Sequence, residues 1–183
     1  MACKSIEVRY AQAADLFGIE HINERAGGLF NGLGLIGTPN GLPERIPAAC
    51  LETALFERLL LVGQMNGRLA GFALCTTERP DLYLEQISVA PEFGRCGVGA
   101  ALLGAVSAEA ERRHLFGVTL STFRHVPWNA PFYAKHGFTE IPRRGLALWQ
   151  LDIEKAQSAT MDVRQRCFMR RAVAANIAAA HAA

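Results

Sequence analysis

The chain has 183 residues, half of them hydrophobic and a fifth charged, with a formal net charge of +2. That length and composition exclude a disordered chain and one too small to bury a core. So small a net charge gives no electrostatic footprint for nucleic acid, and the longest aliphatic run, Leu59 to Val62, is far too short to span a bilayer. The opening MACKSIEVRY has no apolar stretch of the secretory kind, and the five cysteines are scattered without C-x-x-C spacing. The expectation is a cytoplasmic protein with reduced thiols and no metal, no nucleic-acid partner and no membrane.

The elements follow in chain order. Residues 5–10 alternate Ile6, Val8 and Tyr10 against polar neighbours, a half-buried strand. Ala13 to Arg25 has helical spacing, and residues 26–43 (AGGLFNGLGLIGTPNGLP) form a glycine- and proline-rich loop of the kind that borders binding sites. Glu44 to Arg58 reads as a second helix. Leu59 to Met65 and Arg68 to Thr77 are apolar runs joined by Asn66-Gly67, which predicts a hairpin with a two-residue turn. Strands are expected at Leu82 to Val89, Gly117 to Thr122 and Leu146 to Leu151, with helices at 97–113 and at Asn129 to His136. The first 152 residues carry 14 basic and 15 acidic side chains, the last 31 carry 5 and 2 with ten alanines. This divides the chain into a domain over 1–152 and an alanine-rich, basic, helical C-terminal tail over 153–183.

Two segments carry chemistry. In the first, the strand ending Ile87-Ser88-Val89 runs through Ala90-Pro91-Glu92 into a loop with Gly94, Gly97 and Gly99 that opens a helix. Glycines let main chain approach a ligand closely, and the unpaired N–H groups of a first helical turn suit a phosphate. The spacing G-x-x-G-x-G is neither the dinucleotide fingerprint nor a P-loop. About thirty residues later, in Val126-Pro127-Trp128-Asn129-Ala130-Pro131-Phe132-Tyr133-Ala134-Lys135-His136-Gly137-Phe138, Asn129 is a fitting N-cap, Pro131 belongs in a first turn and Gly137 stops the helix.

In this order and separation the two segments resemble the acyl-CoA-binding and second motifs of the GNAT superfamily of N-acetyltransferases, over roughly residues 5–151. One departure stands out: the family's Gln/Arg position is Gly94 here, with Arg95 next to it as the local cation. The resemblance implies an α/β (α+β) fold, a mixed and mostly antiparallel central sheet with one splayed pair of strands, flanked by helices. It implies acetyl-CoA as acyl donor and direct attack on the thioester by a primary amine, from a small molecule or a peptide. Main chain of Ile87, Ser88 and Val89 would bond the pantetheine arm, and Gly94, Arg95, Cys96, Gly97, Val98, Gly99 and Ala100 would hold the diphosphate. Asn129 would lie beside the pantetheine. Tyr133 matches the family tyrosine that protonates the departing thiolate, and Glu85 is the candidate base, equally readable as a solvated or substrate-orienting carboxylate; His125 is the runner-up. The amine pocket is expected near the loop from Gly27 to Pro43, the segment after Thr122 and Trp128, with Glu85 and Asp81 its nearest acids. Dimerisation through a sheet edge or the tail is a further expectation of the resemblance. The alternative reading is a non-catalytic acyl-CoA-sensing module acting through a protein partner, against which intact Glu85, Asn129 and Tyr133 argue.

Overall fold

A computed structural model describes residues 5–36 and 45–173. Among them the order is β1 (Ile6–Tyr10), α1 (Leu16–Gly27), α2 (Ala48–Phe56), β2 (Leu60–Met65), β3 (Arg68–Glu78), β4 (Asp81–Val89) and α3 (Val98–Arg112). Then come β5 (Gly117–Phe123), α4 (Ala130–Lys135), β6 (Thr139–Glu140), α5 (Leu148–Gln157) and β7 (Arg166–Ala172). The described strands form one seven-stranded sheet in the order β1-β2-β3-β4-β5-β7-β6, with β1/β2, β2/β3, β5/β7 and β6/β7 antiparallel. This is the mixed, mostly antiparallel, helix-flanked sheet expected from the sequence. No helix among the described residues is long and apolar enough to cross a membrane.

The chain divides into two compact units. The first comprises Met1–Leu29, Pro43–Thr76 and Leu84–Glu109; the second comprises Phe30–Leu42, Thr77–Tyr83 and Ala110–Ala183.

In the first unit the hairpin turns where Asn66-Gly67 predicted it. Asn66 has φ 52° and Gly67 φ 76°, and Met65 pairs with Arg68 across the turn. Leu60, Leu61 and Val62 of β2 are all buried, so this strand is covered on both faces. Gly63 and Gly71 stand opposite each other in the β2/β3 ladder. A Cβ at Gly63 would lie 3.1 Å from Val98 Cγ1, and one at Gly71 would lie 2.7 Å from the Ser88 carbonyl and 3.1 Å from Leu102 Cδ1. The two glycines make a bare patch onto which the first turns of α3 settle, with Val98 and Leu102 buried there. Gly71→Ala should therefore cost roughly 1–3 kcal/mol by overpacking, read as a lower urea midpoint with an unchanged slope.

In the second unit β5 and β7 pair along their whole lengths, from Gly117↔Ala172 to Phe123↔Arg166. Asp81 at the start of β4 is 5% exposed; it accepts Arg170 Nε at 2.6 Å, Arg170 Nη2 at 2.8 Å and Thr119 Oγ1 at 2.6 Å. Of the two acids that the sequence places near the expected cleft, Asp81 is thus engaged in a structural ion pair. Phe123, Val126 and Ile36 form a small cluster with Phe30, Leu35 and Met161, and Ile36 bridges Met161 in antiparallel fashion.

Three expectations give way. Leu146 to Leu151 is not a strand: Gln150 Oε1 accepts the Ala147 N–H at 2.7 Å and α5 starts there. The tail read as helical from 153 begins inside α5, and Arg166–Ala172 is instead an inner strand of the sheet, between β5 and β6. Most of the alanines that gave the segment its helical look lie after 173, outside the described residues. The second helix starts at Ala48 after Pro47, later than Glu44, which is itself outside the described residues.

Candidate functional site

The glycine loop belongs to the first unit. Along β4 the period of two places Glu85, Ile87 and Val89 on one face and Leu84, Gln86 and Ser88 on the other. Glu85 is exposed, Ile87 and Val89 are half-buried, and Ser88 is buried. On the opposite face Gln86 Nε2 donates to Asn23 Oδ1 of α1 and, at 3.2 Å, to Ser88 Oγ. The Ser88 hydroxyl is therefore engaged as an acceptor within β4.

After β4 a single 3₁₀ turn, Pro91–Phe93, leads to the loop. Gly94 N–H bonds to the Pro91 carbonyl at 3.1 Å and Cys96 N–H to that of Phe93 at 3.4 Å, so these two amides are spent within the turn. Arg95 has φ 59° and Gly97 φ 92°. The second of these values is one that a side chain resists, which explains the glycine. Gly94, Arg95 and Gly97 are exposed. The first closed turn of α3 runs from Ala101 N–H to the Gly97 carbonyl at 3.0 Å. The N–H groups of Val98, Gly99 and Ala100 precede it and have no carbonyl four residues back within the helix. A 15-residue helix then adds its dipole to three convergent donors, and the exposed Arg95 adds a full charge. These residues fit a diphosphate: donors of the right sign, an exposed cation beside them at Arg95, and a helix seated on Gly63 and Gly71.

The tyrosine helix belongs to the second unit. Asn129 caps α4 through its main chain, its carbonyl accepting the Phe132 and Tyr133 N–H groups at 2.8 and 3.1 Å. Its side chain does not cap; Asn129 Nδ2 instead donates to Thr122 Oγ1 of β5 at 2.9 Å. Gly137, with φ 83°, ends the helix, and Phe138 N–H returns to the Tyr133 carbonyl at 3.2 Å. Tyr133 is 8% exposed, its ring 5.3 Å from Phe132 and 5.8 Å from Phe138. Burial pushes its phenol pKa well above the ordinary tyrosine value, while the Arg166 guanidinium opposes part of that rise and Tyr83 adds slightly to it. The hydroxyl is a protonated donor throughout the neutral range. His125, the runner-up base, is exposed in the turn before this helix.

Two residues of this unit, Arg166 and its acceptor Gln157, have no individual signal in the sequence. Arg166 of β7, counted there only among the basic residues of the tail, donates to the Ser121 carbonyl, Ser121 Oγ and Gln157 Oε1, and stacks on Phe123. The available signal was the apolar Cys167-Phe168-Met169 run next to it, which is strand-like.

The order and pairing of the strands, the open helix start after β4 and the tyrosine helix after β5 define the fold of the GNAT acetyltransferases. Residues 57–140 match the family model for an acetyltransferase (GNAT) domain. The fold is shared with the ribosomal-protein-S18-alanine N-acetyltransferase of Escherichia coli, at TM-score 0.64 and 19% identity, covering 93% of this chain and 95% of that one. It is shared with N-acetylglutamate synthase of Neisseria gonorrhoeae, complexed with coenzyme A and N-acetyl-glutamate, at TM-score 0.71 and 14% identity over 93% of this chain and 35% of that one. The PaiA N-acetyltransferase of Thermoplasma acidophilum, in complex with coenzyme A, matches at TM-score 0.61 and 15% identity over 92% and 99%.

Proposed function

We propose that this protein transfers the acetyl group of acetyl-CoA to a primary amine by direct attack. The observation that carries the reading is the start of α3: three main-chain donors with no backbone acceptor among the described residues, at the start of a long helix behind glycines, in a strand–loop–helix that matches the acetyltransferase family model. Val98, Gly99 and Ala100, with Arg95, bind the diphosphate, and the main chain of Ile87 and Val89 bonds the pantetheine arm as an added strand does. Bound acetyl-CoA supplies an activated carbonyl and a thiol leaving group. One β4 amide polarises that carbonyl. Glu85, on the same strand face as Ile87 and Val89, takes the proton from the amine, directly or through a water. Tyr133 gives its phenolic proton to the departing sulfur, and its burial keeps that proton in place until then. No cysteine nucleophile is required.

The acceptors named for the two similar enzymes from Escherichia coli and Neisseria gonorrhoeae are a ribosomal-protein alanine and, through its product, glutamate. Both are amines on the carbon that bears a carbonyl or carboxyl group, and they set the first members of an acceptor panel. The test is thiol release from acetyl-CoA across that panel, beside calorimetric titration of coenzyme A. Tight binding with no release from any amine would favour the sensing-module reading. Glu85→Gln should lower kcat/KM at neutral pH by roughly 10²-fold and lift the loss as pH rises, since free amine then replaces ammonium; a flat ratio across pH would assign Glu85 to substrate orientation alone.

A further inference from the structure

The second unit contains a cavity of about 430 Å³ between β5, β7, α5 and the segment after β6. Its charged lining is Arg124, Arg143, Arg164 and Arg166 against Glu140 and Glu154. Three of these arginines are matched: Arg124 with Glu140 at 2.8 Å, Arg143 with Glu154 at 2.6 Å, and Arg164 with Asp162 at 2.9 Å. Arg166 is not. Among the described residues its bonds go only to neutral oxygens, from Nη2 to the Ser121 carbonyl at 3.0 Å and Ser121 Oγ at 3.1 Å, and from Nε to Gln157 Oε1 at 3.0 Å. Its guanidinium lies 4.6 Å from the Phe123 ring centroid, which holds the plane. Nη1 makes no bond among the described residues, so one edge of the fork is open.

A half-buried cation held by neutral dipoles is fixed in place without being neutralised, and withdrawal from water is unfavourable to it. Position 157 offers an oxygen acceptor of the size of glutamate with no charge. A site built for internal neutrality would have the acid there. The ion-pair balance leaves one positive charge, which one carboxylate neutralises and a phosphate dianion overshoots. The planar fork suits a carboxylate in two-point contact. The volume is that of a small-molecule site and excludes a folded partner. Arg166 also acts electrostatically on Tyr133, the proposed acid.

We propose that Arg166, held by Ser121 and Gln157, binds one carboxylate of a small reactant, carried either by an amino-acid acceptor or by a dicarboxylic acyl group on the donor. This rests on the transferase reading for its place in the reaction, but carboxylate binding is measurable without turnover. One arm compares thiol release from acetyl-CoA with the twenty amino acids and with their carboxamides. The other compares succinyl-CoA with acetyl-CoA on neutral amines. Ligand-observed NMR with the same amino acids and with succinate reads binding directly. Gln157→Glu places an acid beside Arg166 Nε at nearly constant volume, and a thermal melt checks its fold. Wild type should prefer the carboxylate-bearing reactant in one arm by roughly 10- to 100-fold in kcat/KM, and Gln157→Glu should remove that preference through KM while sparing the neutral analogue. The arm that shows it assigns the source. NMR binding lost in Gln157→Glu, with no turnover in either arm, keeps the site and sinks the transferase reading. Equal rates for acids and carboxamides, equal rates for the two donors and no carboxylate binding by NMR overturn the site and leave the transferase reading standing.

Discussion

Tyr133→Phe should lower kcat for thiol release by roughly 10²- to 10⁴-fold while leaving the affinity for coenzyme A unchanged. Phenylalanine keeps the ring between Phe132 and Phe138, so α4 and its return at Gly137 stay folded. What is lost is one O–H. The ring is buried and burial is the leading cause of the raised phenol pKa. The wild-type rate should therefore show no alkaline decline from Tyr133 below about pH 10, the ordinary tyrosine value. Stability carries the same sign. A raised native pKa means that the folded state holds its proton more tightly, so the group is neutral in both states at low pH and folding loses free energy as pH rises past the unfolded pKa. The thermal melt of Tyr133→Phe should accordingly fall less than that of wild type above about pH 10. An unchanged kcat in the variant would remove the acid role, and the proton would then reach the sulfur from water.

Local chemistry decided which parts of the fold were legible in the sequence. Asn66-Gly67 needs two positive φ angles, few dipeptides accept them, and the hairpin forms where they stand. Gly97 and Gly137 likewise mark a left-handed loop residue and a helix stop, and so α3 and α4 begin and end close to where expected. Leu146 to Leu151 was misread because six apolar-rich residues carry too little period to separate strand from helix; the arbiter was Gln150 reaching back to the Ala147 N–H. The segment from 153 was misread because composition was averaged over a strand, Arg166–Ala172, and the alanine-rich stretch beyond it. Gly63 and Gly71 have no local signal for their packing role, since nothing near them in the sequence says that α3 rests on them. Arg166 and Gln157 sit nine residues apart in a helix–turn–strand connection, and their pairing exists only once β7 lies beside β5. The candidate site shows the same division: its glycines and its tyrosine were readable, and its charge balance was not.

Asp81→Asn should destabilise the protein by about 3 kcal/mol, equivalent at this chain length to a melting temperature lower by roughly 6–12 °C. The carboxylate accepts three hydrogen bonds with only 5% of the residue exposed. An asparagine turns one of its two oxygens into a donor that faces the Arg170 guanidinium in either orientation, at Nη2 in one and at Nε, with the Thr119 hydroxyl, in the other, and leaves the half-buried guanidinium without its counter-charge. Gly117 belongs to the same arrangement. A Cβ there would lie 2.7 Å from the Arg171 carbonyl and 3.0 Å from Arg170 Nη2, so the glycine lets the guanidinium cross β5 on its way to Asp81. The ion pair therefore ties β4, β5 and β7 together at one end of the strands, where β4 begins. Replacing both partners with apolar residues, Asp81→Leu with Arg170→Met, should recover most of the loss, because neither charge is then stranded. A melting temperature for Asp81→Asn within a degree or two of wild type would show that water compensates the pair as it does at an exposed salt bridge, and that the sheet in this unit is held by the apolar contacts of β5 and β7 alone.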